Sequence, residues 1–259
     1  TSGNTVTITG GTFASGTTIT GGYASSSTAG TASSRHNAVS ITGETVTGEN
    51  IYVQGGYADT GNMNVTDNTV ELDSANVSYS SVDGGYAMFS KNAEATVSNN
   101  AVTMKAGTVS VSINGGEGYL TGSDKATISS NTVTLEGGET SSIAGSYAQL
   151  NSTGNTVALT GNTVNLNGGH ASWVFGAQAA DTTTGSTSTI TVTGNTVNLN
   201  QSLGSIGSVC GGEIEVNSGF SGTATIAGNT LNLNGGSCSS VYGGKSTGTG
   251  VTVRDNIIN

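Results

Sequence analysis

The stretch Gly161–Gly169 reads GNTVNLNGG, and Gly228–Gly236 reads GNTLNLNGG. Close variants stand at Gly3–Gly11 (GNTVTITGG) and Ser130–Gly138 (SNTVTLEGG). Taking the asparagine of this motif as an anchor gives Asn4, Asn37, Asn68, Asn100, Asn131, Asn162, Asn195, Asn229 and Asn256, at intervals of 33, 31, 32, 31, 31, 33, 34 and 27 residues. A period of this length marks a stacked architecture, in which each unit is too small to bury its own apolar face and buries it on its neighbours.

Three short apolar pairs recur in each period. Two and four places after the anchor come pairs such as Val6/Ile8, Val133/Leu135 and Val197/Leu199. Five and three places before it come Met63/Val65, Val157/Leu159 and Ile190/Val192, with Ala32/Ser34 the weak copy. Between them lies a Gly-Gly element: ITGGYA at Ile19–Ala24, VQGGYA at Val53–Ala58 and VDGGYA at Val82–Ala87, with looser copies further on. Alternation of apolar and polar residues predicts strands with one buried face. Three strands in about 32 residues predict an all-β, three-sided parallel β-helix of about 8 coils of 31–34 residues, a rod roughly 40 Å long. A β-propeller needs about 40–50 residues per four-stranded blade and fits less well; a flatter solenoid with two short coils per period is the other alternative. The anchor has the parity of its inward pair, so the asparagines are expected to point in at a corner and form a ladder.

Composition supports one repeat domain over 1–259. The 42 glycines and absent proline could describe a linker, but 33% apolar residues, mostly Val and Ile in short runs, favour strands. No segment approaches the roughly 20 apolar residues of a membrane-spanning helix, so no membrane insertion is expected within this segment. A net charge of −10 argues against nucleic acid as a partner. The chain starts and stops inside the motif, so it reads as a fragment of a longer protein.

Candidate sites are few. Tyr23, Tyr57, Tyr86 and Tyr147 fall in one column, which stacking could turn into an aromatic strip able to bind a sugar or a protein, or merely into packed rings. The Gly-Gly beside them suggests a bend or a positive φ. Outward Thr-x-Thr pairs such as Thr5/Thr7 could hint at an ice-binding face, but Glu71 interrupts their columns. A polysaccharide-cleaving enzyme would need two carboxyls at a defined separation, and Glu117, Glu136 and Glu139 are the set that neighbouring coils could bring together. His36 and His170 sit in no metal-binding or triad spacing, no phosphate loop follows the glycine pairs, and neither a metal nor a cofactor is expected. Cys210 and Cys238 lie in successive coils but four positions out of register, which leaves a disulfide open: too far in plain stacking, reachable through a looping turn.

The pairing of NTVTL-x-GG with V-x-GGYA resembles the repeats in passenger domains of bacterial autotransporter (type V secreted) adhesins, over the whole chain. That resemblance implies a right-handed parallel β-helix displayed at the bacterial cell surface beyond the outer membrane, attaching to a protein or glycan on host or bacterial cells. It brings no catalytic motif, so the chain is expected to be a non-enzymatic adhesin or stalk segment, with carbohydrate binding or polysaccharide degradation as the alternative. Open coil ends also raise end-to-end self-association.

Overall fold

The computed structural model describes residues 1–26, 30–89, 92–200 and 205–259, and every regular element among them is a β-strand. All pairings between these strands are parallel and join each coil to the next. The result is a parallel β-solenoid of about eight turns. One coil shows the plan: a first strand Thr132–Leu135 after the anchor, a second Glu139–Leu150 carrying the glycine pair, and a third Thr156–Thr160 before the next anchor. In Thr69–Met88 and Ala101–Leu120 the first two are continuous. In later coils the second breaks at the glycine pair, as in His170–Phe175 and Gln178–Asp181. The eight third strands form one sheet, whereas the first and second strands join into a single larger one. Even the weak copy keeps its place: Ser34 points inward, fully buried, and donates its hydroxyl to the Gly22 carbonyl at 2.7 Å.

The residue before each anchor explains the turn. Gly3, His36, Asp67, Asn99, Ser130, Gly161, Gly194, Gly228 and Asp255 all have φ between 55° and 70°. The left-handed region is open to Gly and tolerated by short polar side chains, which is why GN alternates with HN, DN and SN. His36 is thereby a corner residue, its ring 3.7 Å from the Asp67 carboxylate of the next corner.

The anchors stack in single file and point inward, as their parity requires. Asn68 shows the full pattern. Its backbone N–H and its Nδ2 both donate to Asn100 Oδ1, at 3.1 and 2.9 Å. The second Nδ2 proton goes to the Ser34 carbonyl at 3.1 Å. Its own Oδ1 accepts from the Asn37 backbone and side chain at 3.0 and 2.9 Å. Every polar atom of the side chain is thus paired, so a column of buried amides carries no desolvation debt. The ladder continues unbroken from Asn4 to Asn256.

This column divides the interior. On one side Val70, Leu72, Val102 and Met104 pack against Val82, Ile113 and Ile143. On the other, Ala87, Ala148, Leu120 and Leu150 pack against Val97, Ile128 and Leu159. The glycine pair closes over the ladder from the opposite wall. None of Gly21, Gly22, Gly55, Gly56, Gly84 or Gly85 has a positive φ, contrary to the expected turn conformation. Glycine is required there by close approach: a methyl on Gly85 would lie 2.6 Å from Asn100 Nδ2, and one on Gly116 2.7 Å from Asn131 Nδ2. The coil is pinched at its waist, and the outside of the pinch is a groove.

Candidate binding groove

Both glycines of the pair aim their Cα hydrogens inward, so the outward residues on either side lean toward each other. One wall carries, in stacking order, Thr20, Gln54, Asp83, Asn114, Ala144, Phe175, Cys210 and Tyr242. The other carries Tyr23, Tyr57, Tyr86, Glu117, Tyr147, Gln178, Glu213 and Lys245. Concavity shows in burial: Asp83, Asn114, Cys210 and Glu213 point away from the core yet are 0–4% exposed.

Three of the four predicted tyrosines form a stack. Ring centroids of Tyr23 and Tyr57 lie 5.2 Å apart at 11°, and those of Tyr57 and Tyr86 5.4 Å apart at 14°. Their hydroxyls reach the rim, Tyr23 donating to Asp59 Oδ2 at 3.1 Å and Tyr57 to Met88 Sδ at 3.5 Å. Burial, then the charge of Asp59, raises the Tyr57 phenol. Within the stack each ring spends its faces on its neighbours, so Tyr57 offers a ligand only an edge. Tyr147 stands apart, with Glu117 in the column between it and Tyr86.

Where the tyrosine column is interrupted, two carboxyls meet. Asn114 Nδ2 donates to Asp83 Oδ1 at 3.0 Å and to Glu117 Oε2 at 2.7 Å, so the two acids converge on one amide nitrogen. Burial pushes the Asp83 carboxyl up to about 6, against the lowering effect of hydrogen bonds from Glu117, Asn114 and Ser81. Burial followed by the Asp83 charge holds Glu117 well above the usual carboxylate range. Two like charges are disfavoured in one low-dielectric site, so the pair resists losing its second proton. No Lys or Arg pairs with either acid among the described residues.

Further along the same wall Glu213 is 1% exposed and pairs with Lys245, while Gln178 Nε2 reaches its other oxygen at 3.3 Å. Burial raises the Glu213 carboxyl and outweighs the lowering by Lys245. Lys245 Nζ also sits 5.8 Å from the ring centre of Tyr242. Two adjoining cavities occupy this stretch. One of about 380 Å³ is lined by Ser112, Asn114, Glu117, Tyr147, Gln149 and Gln178 among others. The other, of about 320 Å³, is lined by Trp173, Phe175, Glu213, Glu215 and Lys245 and shares Ser142 and Gln178 with the first. Together they make a continuous trough across the coils from Ser81 to Lys245, about 24 Å by coil spacing.

Several expected sites are not assembled. Glu117 finds Asp83 rather than Glu136 or Glu139; Glu136 lines a different hollow with Glu71 and Lys105, and Glu139 stacks in register between Thr108 and His170. Asp83, inside the VDGGYA copy, is the partner that local acid spacing does not signal. Cys238 pairs in register with Ile206, four places from Cys210, and both thiols are free, so the looping turn that a disulfide needed does not occur. Cys210 instead donates to the Gly212 carbonyl at 3.1 Å, and its thiol is pushed up to about 12 by burial. Among the described residues no three His, Cys, Asp or Glu side chains gather in a way that could hold a metal ion. On the first-strand face, outward asparagines make further ladders: Asn198 to Asn165 at 2.8 Å and Asn232 to Asn198 at 2.7 Å.

No family model, no curated protein and no solved structure matches this chain.

Proposed function

We propose that this rod is a non-enzymatic segment of a surface-displayed bacterial adhesin of the autotransporter passenger type, and that the grooved sheet is its contact face. The observation that carries the reading is the placement of exposed apolar side chains. Tyr23, Tyr52, Met88, Val111, Trp173 and Tyr242 are each at least 39% exposed, and all belong to the strands that carry or flank the glycine pair. The remaining exposed large apolar residues, Val253, Ile257 and Ile258, lie in the last coil. By contrast, the outward residues of the third-strand sheet carry no large apolar side chain: they are polar or charged, as in Glu94, Lys125 and Thr191, with alanine at Ala158 and Ala227. Apolar residues gathered on one side of an otherwise polar rod mark a surface kept for a partner.

The same geometry lends no support to polysaccharide cleavage at the acid pair. Glycosidases hold their carboxyls about 5–9.5 Å apart, with the sugar or a water between them. Asp83 and Glu117 are instead tied together through Asn114 Nδ2, which occupies the space between them, and Asp83 is 4% exposed.

The reading is tested by the binding of purified protein to intact bacterial and epithelial cells. Paired replacement of Tyr52 and Trp173 by Ser should abolish attachment, whereas paired replacement of Thr127 and Thr191 by Ser on the opposite sheet should leave it unchanged. Attachment that follows the threonine pair, or ignores both, removes the grooved face from the account.

A further inference from the structure

The trough between Ser81 and Lys245 is built differently from the apolar rim that surrounds it. Its floor is hydrogen-bonding chemistry that can both give and accept: the amides of Asn114, Gln149 and Gln178, the hydroxyls of Ser112 and Ser142, and the carboxyl of Glu117. Asn114 is fixed by its two bonds to Asp83 and Glu117, so the polar floor is held in place before any partner arrives. Three aromatic side chains line the trough apart from the stacked tyrosines: Tyr147 in the first cavity, and Trp173, 46% exposed, with the buried Phe175 in the second. Trp173 stacks between Ser142 and Ser208, whose small side chains leave its ring open to a partner, whereas Tyr147 is flanked by Glu117 and Gln178.

Resting on the reading of this sheet as the contact face, we infer that the trough binds an uncharged, linear glycan laid along the rod axis, with Trp173 as the platform for a sugar ring and the polar floor bonded to the sugar hydroxyls. Three observations favour this occupant over a protein strand or an anionic polymer. The backbone groups of the trough are consumed by coil-to-coil pairing, so a peptide cannot join as an added strand. The cavities alternate amide, hydroxyl and aromatic groups, which suits a polymer presenting a hydroxyl-lined edge and an apolar ring face at each unit, and they lack the deep apolar pocket that a protein anchor residue fills. The trough carries Asp83, Glu117, Glu213 and Glu215 against Lys245 alone, on a chain of net charge −10, and so repels uronate, sialylated and sulfated chains.

The test is a set of immobilised linear glucan, mannan and galactan oligosaccharides, with polygalacturonate and heparin alongside, probed with the whole chain. The expected result is binding to at least one neutral chain and to neither polyanion, weakened about tenfold or more by Trp173→Ala and by Glu117→Gln, with unchanged circular dichroism. Binding confined to the polyanions, binding to no glycan, or neutral-glycan binding indifferent to Trp173→Ala overturns the inference. The cell assay separates this failure from that of the contact face. Attachment that needs Tyr52 and Trp173 but survives periodate treatment of the cells assigns the face to a protein partner, and only the glycan inference falls. Attachment that does not need them removes both.

Discussion

Gly84 runs so close above Gly115 of the next coil that a methyl group on it would sit 2.5 Å from the Gly115 carbonyl oxygen. Its chain neighbour Gly85 faces a side chain instead, the amide of Asn100 at 2.6 Å. The two columns differ in what has to yield. The first column is glycine in all eight copies; the second holds Ser146 and Ala177 in two of them. A backbone carbonyl fixed in a parallel ladder cannot retreat, whereas the waist over the anchor has accepted a Cβ twice. Gly84→Ala is therefore expected to cost roughly 3 kcal/mol or more, and Gly85→Ala about 1 kcal/mol. Thermal unfolding of the two variants side by side checks the order, and equal losses would contradict it.

The anchor ladder makes a second prediction. Asn131 Oδ1 accepts from the Asn100 backbone and side chain at 3.0 and 2.9 Å, while its Nδ2 donates to Asn162 and to the Val97 carbonyl, each at 3.0 Å. Asn131→Leu leaves buried partners on both neighbouring coils unpaired, and should lose roughly 3–5 kcal/mol in total at about 1–3 kcal/mol per stranded group. Asn131→Asp retains the acceptor but sets a carboxylate oxygen against Asn162 Oδ1, and should be no better. Denaturant midpoints decide it; a loss below about 1 kcal/mol for Asn131→Leu would mean the ladder is not what holds the waist.

Much of this was legible in the sequence because the anchor carries both period and parity. Spacing by two from Asn131 to Val133 and Leu135 placed all three on the buried side, and the structure puts them there. Likewise the offset of four between Cys210 and Cys238 is kept, since Cys238 stacks on Ile206. The glycine pair was misread because Gly-Gly in sequence signals a turn as readily as a close approach, and only the opposite wall, Asn100 for Gly85, distinguishes them. The acid pair stayed hidden for a related reason. Glu117 stacks on Tyr86, three places after Asp83, at an interval of 31 residues, while Asn68 and Asn100 are 32 apart, because register slips lie between the first and second strands. Counting from the anchor therefore loses the outward columns; aligning copies on their glycine pairs would have placed Glu117 among the tyrosines and Asn114 beside Asp83.

That acid pair should be visible in the pH dependence of stability. In the unfolded chain both carboxyls ionise near their ordinary values; in the fold burial holds Asp83 up to about 6 and Glu117 well above the usual carboxylate range. Below the unfolded values both states are protonated and no penalty exists. As pH rises, the unfolded chain releases protons that the fold retains, so stability falls through pH 6 and beyond. Glu117→Gln keeps a donor toward Asp83 and removes the second charge. The difference in melting temperature between pH 5 and pH 8 is expected to be smaller in this variant than in the parent, by roughly a few degrees. An unchanged difference would show that other carboxylates govern the profile.

Tyr79 supplies a case where removing a polar atom should help. Its ring is fully buried among Ile51, Val77 and Val109, and its hydroxyl has no hydrogen-bond partner in the protein. Burial raises the phenol far above its ordinary range, so the hydroxyl stays neutral at ordinary pH. A buried hydroxyl without a partner forfeits its hydration and regains nothing from the fold, while the ring earns its place by filling the waist beside Gly107, whose Cα would bring a methyl within 3.1 Å of it. Tyr79→Phe keeps the ring and discards the hydroxyl, and is expected to stabilise the rod by about 1 kcal/mol. Tyr79→Ala removes the ring as well and should cost roughly 3–5 kcal/mol. A Phe variant that melts lower than the parent would show that the hydroxyl is bonded in solution, and the stabilisation assigned to its removal would be wrong.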